Sequence, residues 1–235
     1  MAVAVDGRPP AAVEFVAAGV RLQLLPGRAA FAPDEGALLV ADVHFGKAAS
    51  FRRLGVPVPS GTTAETLAAL DALLDGTRAS RLVFVGDLLH AARGRTPAVV
   101  AAVAAWRTRH AGVDMLLVRG NHDRHAGDPP AEWRIEAVDA PWPLAGRLVV
   151  VHEPEPVPGA YAIAGHVHPA VVIGGRARDR LRLPCFHFGP QVAVLPAFGA
   201  FTGAHVVTPA PGDRVFAVAA DRVVELAAPR APARG

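Results

Sequence analysis

The sequence contains a single cysteine, Cys185, and only three serines. One cysteine excludes a disulfide framework and a zinc finger built on thiolates. None of the serines (Ser50, Ser60 and Ser80) lies in a G-x-S-x-G motif, so the sequence argues against a hydrolase with a serine nucleophile elbow. The chemistry of this protein is therefore expected to depend on other side chains.

Long apolar runs and targeting signals are also missing. No run reaches about 18 apolar residues, so we expect no transmembrane helix. Residues 1–19 carry two acidic side chains and no basic segment ahead of the apolar stretch, which is not the pattern of a signal peptide. These features predict a cytoplasmic protein.

Lysine is almost absent, since Lys47 is the only one among 24 basic residues. Arginine stays charged and pairs with phosphate through two hydrogen bonds, which weakly favours an anionic substrate. The alternative is a compositional bias toward Ala, Arg, Gly and Pro, as GC-rich coding would give. We attribute most of the arginine excess to that bias.

The first part of the sequence alternates buried strands with helices. Short apolar runs at 36–41, 81–85 and 113–118 predict strands. Between them, a helix is predicted from a T-x-x-E capping box at Thr62 to a stop at Gly76, and another from Pro97 to about His110. This order is typical of βαβ crossovers and an α/β fold.

The second part of the sequence has a different pattern. After the predicted strands at 147–151 and 160–164, His152 and His166 are only 14 residues apart, too close for an ordinary helical crossover. From 171 to 224, short β-like runs alternate with Gly and Pro turns. We expect a single domain over residues 1–235 with extra strands at its end and a frayed tail at 228–235.

Side chains that can bind metals follow each of five predicted strands. Because ligands bind at the carboxyl ends of strands in an open α/β sheet, these residues are expected to converge. Residues i and i+2 of an extended segment also point to one side. The candidate ligands are Asp42, His44, Asp87, Asn121, His152, His166 and His168.

The candidate ligands are carboxylates, imidazoles and one amide, with no thiolate. This set suits Mn²⁺, Fe or Zn²⁺. Seven ligands are too many for one ion, whereas two ions that share a carboxylate account for them. Two such ions about 3.5–4 Å apart are the usual arrangement for in-line displacement at phosphorus.

The series D-x-H, G-D, G-N-H-D, H and G-H-x-H, in this order, resembles the calcineurin-like metallophosphoesterase superfamily. The flanking segments ADVHFGKAASFRRLGVPVPSGTT (41–63), GDLLHAAR (86–93), VHEP (151–154) and LPAFGAFTG (195–203) are similar to the bacterial ligase-associated DNA damage response endonucleases of the PdeM type. The likeness extends from about residue 15 to about residue 208. It implies an α/β fold with a β-sandwich core of two mixed sheets flanked by helices.

The resemblance also implies residue roles. It assigns one metal to Asp42, His44, Asp87 and His168, and the other to Asp87, Asn121, His152 and His166, with Asp87 bridging. A hydroxide between the ions would attack phosphorus. His122 would assist the leaving oxygen, with Asp123 as the residue that orients it.

Three neighbours, His90, Lys47 and Arg124, are candidates for contact with the substrate phosphate. His90 could equally well pack, and Lys47 could equally well be solvated. Arginine clusters at 52–53, 93/95, 107/109 and 176/178/180 would bind a nucleic-acid backbone if they shared the rim of the cleft. His187, close to Cys185, departs from the aromatic residue expected there.

The resemblance implies a two-metal phosphodiesterase or endonuclease, with Mn²⁺ the most expected metal, that acts on single-stranded or looped DNA in repair. It further implies functional association with a DNA ligase and with a helicase or nuclease. The alternatives are a phosphomonoesterase, a nucleotide pyrophosphohydrolase, or a non-catalytic scaffold with this fold. The complete ligand set argues against the scaffold.

Overall fold

The protein is built on two facing β-sheets. The computed structural model describes residues 12–58, 61–174, 180–199 and 202–227. The first sheet has seven strands in chain order, of which β1 to β4 are antiparallel and β4 to β7 are parallel. These strands are β1 Val13–Ala17, β2 Val20–Leu25, β3 Ala29–Ala32, β4 Ala37–Ala41, β5 Arg81–Val85, β6 Asp114–Val118 and β7 Glu136–Val138.

The second sheet is formed by β8 to β16, which follow the strands of the first sheet along the chain. They are β8 Trp142–Ala145, β9 Leu148–Val150, β10 Tyr161–Ala164, β11 Pro169–Gly174, β12 Arg180–Phe188, β13 Val192–Val194, β14 His205–Val206, β15 Arg214–Val218 and β16 Val223–Leu226. Their order is β14-β11-β12-β13-β10-β9-β8, with β15 paired to β12 and β16 paired to β15. The sheet is mixed, since β10 is parallel to β9 and β13 whereas β12 is antiparallel to β11 and β13.

In the described part of the chain, four α-helices accompany the first sheet: α1 Lys47–Arg53, α2 Thr62–Thr77, α3 Pro97–Arg109 and α4 Asn121–Ala126. Along β4, Leu39 and Ala41 face the second sheet, whereas Leu38 and Val40 pack against the helices. Both faces of β4 are thus buried, which explains why the central strands are continuous apolar runs. The predicted α/β fold with two mixed sheets and flanking helices is confirmed.

The ends of α2 differ from the prediction. Gly61, in a left-handed conformation (φ 92°), is the N-cap, and Thr62 is already helical, so its hydroxyl makes no capping bond. At the other end Gly76 lies within the helix, and Arg78 terminates it with φ 54°. A T-x-x-E pattern does not reveal the backbone angle of the preceding glycine, and this angle determines where the helix begins.

The parallel strands place their carboxyl ends at one edge of the molecule. The second sheet meets this edge through the segment after β13, where the Phe198 amide donates to the Ala41 carbonyl at 2.8 Å and the Gly199 amide to the Asp42 carbonyl at 3.2 Å. No helix among the described residues is long and apolar enough to cross a membrane. The predicted tail at 228–235 lies outside the described residues.

Candidate metal centre

The loops after β4 and β5 hold one another through backbone bonds. The Asp42 amide donates to the Gly86 carbonyl at 3.3 Å, and the His44 amide donates to the Asp87 carbonyl at 2.9 Å. Five candidate ligands have a positive φ, between 51° and 70°: Asp42, His44, Asp87, His166 and His168. Such a conformation costs about 1–3 kcal/mol per residue and is concentrated at functional sites.

Glycines of the motifs allow the backbones to approach closely. A Cβ on Gly120 would lie 2.3 Å from Asp87 Oδ1, and one on Gly86 would lie 1.9 Å from His152 Nδ1. A Cβ on Gly165 would lie 2.8 Å from Asp42 Oδ2. These positions therefore need glycine because a ligand occupies the space where a side chain would begin.

The first group of ligand atoms joins the two sheets. Asp42 and His44 follow β4 of the first sheet, and His168 precedes β11 of the second. The Nε2 atoms of His44 and His168 are 3.4 Å apart, and His168 Nε2 is 3.5 Å from Asp42 Oδ1. Asp42 is fully buried, and its carboxylate accepts the His166 amide at 3.0 and 3.1 Å.

The second group also takes members from both sheets. Asp87 and Asn121 follow β5 and β6, whereas His152 and His166 follow β9 and β10. Asn121 Oδ1 lies 3.0 Å from both His152 Nε2 and His166 Nδ1, and these two nitrogens are 3.1 Å apart. His152 Nε2 is 3.3 Å from Asp87 Oδ1.

Asp87 lies between the two groups. Its Oδ1 faces His152, and its Oδ2 lies 3.9 Å from His44 Nε2. Because the two oxygens of one carboxylate address different groups, Asp87 is arranged as a bridging ligand would be. Its backbone and side chain are almost fully buried.

The donor atoms fit divalent metal ions. Two ligand atoms about 2.1 Å from one ion are about 3.0 Å apart at a right angle and about 3.4 Å apart at a tetrahedral angle. The 3.0 Å separations around Asn121 match the right-angle value. The 3.4 and 3.5 Å separations around His168 match the tetrahedral value. Several of these atoms carry lone pairs that would repel without a cation between them.

Backbone carbonyls orient two of the imidazoles. His152 Nδ1 donates to the Val85 carbonyl at 3.2 Å, and His168 Nδ1 donates to the Gly203 carbonyl at 3.2 Å. A proton held at Nδ1 leaves Nε2 unprotonated and free to coordinate. Sequence analysis missed these partners because a carbonyl has no residue signature.

Burial and charge set the protonation of the ligands. Burial lowers the pKa of His44 to about 2, although Asp87 opposes the effect. Burial of Asp87 opposes ionisation, but its contacts with His152, His44 and His122 outweigh this and lower its pKa. The site therefore presents a neutral imidazole and an ionised carboxylate at neutral pH, the forms that bind metals.

His122 faces the same centre from the start of α4. Its Nδ1 donates to the His90 carbonyl at 2.8 Å, its Nε2 lies 4.0 Å from Asp87 Oδ2, and its amide donates to Asp87 Oδ1 at 3.0 Å. Its ring stacks on that of His90, with centroids 5.0 Å apart. Nε2 is thus left to face Asp87.

The Asp123 carboxylate and the His122 ring have different hydrogen-bond partners. The carboxylate of Asp123 accepts the Leu89 amide at 3.0 Å and the Gly120 amide at 2.9 Å, and it is buried. Asp123 therefore ties the loop after β5 to the loop before α4, while the His90 carbonyl orients the His122 ring. The resemblance implied Asp123 as the orienting residue, and among the described residues its carboxylate is bonded to these two amides.

The three candidate phosphate contacts lie in different places around the centre. His90 lines a groove with Leu54, Arg93 and His122, which we call the His90 groove. Arg124 lines another with Arg119, His152 and Glu153, which we call the Arg124 groove. Lys47 begins α1 and lines a small cavity with His44 and several threonines. Burial is the main cause that lowers the pKa of His90 to about 4.

The predicted arginine clusters have different surroundings. Arg107 is buried and donates to the His110 carbonyl, and Arg95 donates to the Ala126 carbonyl at 3.0 Å. Arg93 lines the His90 groove, whereas 176 and 178 lie outside the described residues. Arg53 donates to the Arg93 carbonyl at 3.4 Å, so the clusters at 52–53 and 93/95 lie side by side.

The Cys185–His187 pair has a structural explanation. Cys185 is fully buried on β12 beside Val171 and Val215, and burial raises the pKa of its thiol to about 12. His187 Nε2 lies 2.7 Å from Asp213 Oδ2. The same carboxylate oxygen accepts the Ala210 amide within the loop before β15. Cys185 is therefore a core residue of β12.

Taken together, the fold and the two ligand groups define a phosphoesterase of the two-metal class. Residues 37–176 match the family model described as calcineurin-like phosphoesterase. A comparison with curated proteins gave no significant match.

Two solved structures are similar to this chain. The nuclease MPE of Pseudomonas putida is 45% identical, with a TM-score of 0.81, and the match covers 92% of this chain and 100% of that one. Yfce, a phosphoesterase from E. coli, is 17% identical with a TM-score of 0.39, over 82% of this chain and 99% of that one. The protein belongs to the calcineurin-like phosphoesterase family and is a hydrolase of phosphoesters.

Proposed function

We propose that this protein is a two-metal phosphodiesterase that cleaves single-stranded or looped DNA during repair. The observation that carries the proposal is the position of the ligand groups and His122 between two open grooves, the His90 groove and the Arg124 groove. A phosphodiester carries a chain on each side of the reacting phosphorus, so both chains need room. A phosphomonoester needs room for only one.

Mn²⁺ is the metal we propose, because the ligand atoms are nitrogen and oxygen only. Fe and Zn²⁺ suit the same donors. When bound, two such ions supply an activated water and neutralise the charge of the phosphate. The first ion would be held by Asp42, His44 and His168, the second by Asn121, His152 and His166, with Asp87 shared.

The protein's own residues then position and protonate the substrate. As an imidazolium, His122 would keep its Nδ1 proton on the His90 carbonyl, give its Nε2 proton to the leaving oxygen and end as the neutral ring. Asp123 fixes the turn that carries His122. Arg124, His90 and Lys47 are the proposed contacts to phosphate oxygens, from three sides of the centre.

The repair role rests on likeness. The flanking motifs resemble the ligase-associated endonucleases, and the Pseudomonas putida relative is described as a nuclease. From this we propose functional association with a DNA ligase and with a helicase or nuclease, in the cytoplasm.

The test begins with protein stripped of metal and reconstituted with Mn²⁺. We expect faster hydrolysis of a bis-nitrophenyl phosphodiester than of the matching monoester, lost on chelation, and cleavage of DNA hairpins and flaps by the same preparation. A preference for the monoester would point to a phosphatase instead. No hydrolysis of either ester with two metals bound would point to a scaffold.

A further inference from the structure

Arg28 is a half-buried arginine at the edge of the metal centre. It lies in the turn between β2 and β3, where its amide donates to the Leu25 carbonyl at 3.1 Å. In the antiparallel pair of β3 and β4, Ala30 lies opposite Leu39. If this register is extended by two residues, Arg28 lies beside the carboxyl end of β4, just before Asp42. Arg28 therefore lies at the same edge as the metal ligands.

The guanidinium of Arg28 has no hydrogen bond or ion pair within the described chain. Burial lowers the pKa of Arg28, and no carboxylate among the described residues offsets this effect. Most charged side chains that lose water in a protein gain a partner in return. An arginine that lacks one next to a catalytic centre is available to an anionic ligand.

A second arginine faces the same space from the other sheet. Arg182 is exposed on β12, opposite Val172 of β11. Because side chains alternate along a strand, Arg182 shares a face with Pro184 and Phe186, and Phe186 is in the core between the sheets. Arg182 is thus on the face that looks toward the first sheet, beyond the point where the core ends.

These two arginines line one cleft beside the first group of ligands. We call it the arginine cleft; it is lined by Arg28, His168, Pro169, Arg182, Thr202 and Gly203, among others. The described residues that line it include no carboxylate. Its connection to the centre is direct, because His168 belongs to both and donates to the Gly203 carbonyl.

We infer that the arginine cleft binds a phosphodiester of the substrate strand other than the one that reacts. This inference rests on the proposed function. Guanidinium groups bind phosphate oxygens through paired, charge-assisted hydrogen bonds, and two of them from opposite sheets can grip one phosphate. A more distant phosphate of the strand that occupies the His90 and Arg124 grooves would then reach the arginine cleft.

The experiment compares R28Q and R182Q with the parent protein, all loaded with Mn²⁺. R81Q is the matched control: Arg81 begins β5 at the opposite edge of the sheet and lies 3.8 Å from Asp114. Binding of a labelled single-stranded oligonucleotide is measured by anisotropy over a series of salt concentrations. Cleavage of that strand and hydrolysis of bis-nitrophenyl phosphate are measured in parallel, with a thermal melt for folding.

We expect R28Q and R182Q each to weaken strand binding about ten-fold and to flatten the salt dependence by about 0.7 in the log–log slope. Hydrolysis of bis-nitrophenyl phosphate is unchanged, because this small ester does not reach the arginine cleft. R81Q behaves as the parent in all assays. R28K, which keeps the charge but not the planar fork, recovers part of the affinity.

Two results would overturn the inference while the proposed nuclease function stands. One is strand binding that is unaffected in R28Q and R182Q. The other is an equal loss of bis-nitrophenyl phosphate hydrolysis, which would place the arginines at the reacting phosphate. A parent that binds the strand but never cuts it would refute the nuclease function alone. In that case weaker binding by R28Q and R182Q still supports the arginine cleft. A parent that hydrolyses the small ester and binds no strand refutes both.

Discussion

The two ring nitrogens of His122 have different surroundings. Its Nδ1 is bound to the His90 carbonyl and its Nε2 faces Asp87, but it belongs to neither ligand group. We therefore expect H122A to keep both metals and to lose about 10²- to 10⁴-fold in kcat on the diester. D87A, which removes the shared carboxylate, should lose metal. Metal content by atomic absorption and kcat on the same samples test the two variants, and an H122A protein with parent activity would show that His122 has no catalytic role.

Gly120 is expected to tolerate no side chain. In G120A the new Cβ would meet Asp87 Oδ1 at 2.3 Å and the Asp87 amide nitrogen at 2.6 Å, so the shared carboxylate must move. We expect weaker metal binding and a loss of about 1–3 kcal/mol in the free energy of unfolding. G112A is the control, because nothing lies within 4 Å of a Cβ there. Metal titration and urea denaturation measure both effects, and equal behaviour of the two variants would contradict the argument.

The sequence allowed most of the candidate site to be predicted residue by residue. Asp42, Asp87 and His152 follow apolar strand runs, and parallel strands bring such positions to one edge. The orientation of Asp123 was not predictable, because its partners are two backbone amides. Arg28 gave no signal either, because only strand pairing places a P-G-R turn next to the metal ligands.

At the scale of elements, α2 and α3 are joined through one carboxylate. The Trp106 Nε1 donates to Asp71 Oδ1 at 2.6 Å, and His110 Nε2 lies at the same distance from that oxygen. Arg109 donates to Asp71 Oδ2 at 3.3 Å. Trp106 is fully buried, so its indole N–H has no access to water. Removal of this acceptor in D71A should cost about 1–3 kcal/mol of stability.

The charge of Asp71 makes part of this stability depend on pH. Its burial opposes ionisation, but the bonds from His110, Trp106 and Arg109 outweigh it and lower its pKa. A lowered folded pKa gives stability that is present above the unfolded value of about 3.8 and is lost as pH falls through the folded value. D71N keeps an acceptor for Trp106 without the charge. Urea denaturation should find D71N less stable than the parent at pH 7 and equal to it at the acid end, and a constant difference would contradict the argument.

The type of an element was predictable where the local sequence pattern was clear. The runs of β4, β5 and β6 are apolar on both faces, and α3 begins at Pro97 as its position in the first turn predicts. The ends of α2 were not predictable, because left-handed residues at Gly61 and Arg78 set them. Strand partners in the second sheet depend on long-range pairing, such as β12 with β15, which no local pattern encodes.

At the scale of the whole molecule, each ligand group bridges the two sheets. Each bound ion should therefore stabilise the fold by about 2.7 kcal/mol at a concentration one hundred times its Kd. For a chain of this size that corresponds to about 5–10 °C in Tm. Thermal melts with and without Mn²⁺ test this, and D87A should show a much smaller shift. An equal shift in both proteins would mean that the ions act elsewhere.

The order of strands along the chain divides the metal centre in a simple way. All seven strands of the first sheet precede all nine of the second, with the boundary between Val138 and Trp142. The first half carries Asp42, His44, Asp87 and Asn121; the second half carries His152, His166 and His168. Neither half holds a complete group, so two separately produced fragments would bind metal only after reassembly. The metal centre can therefore report on fragment complementation.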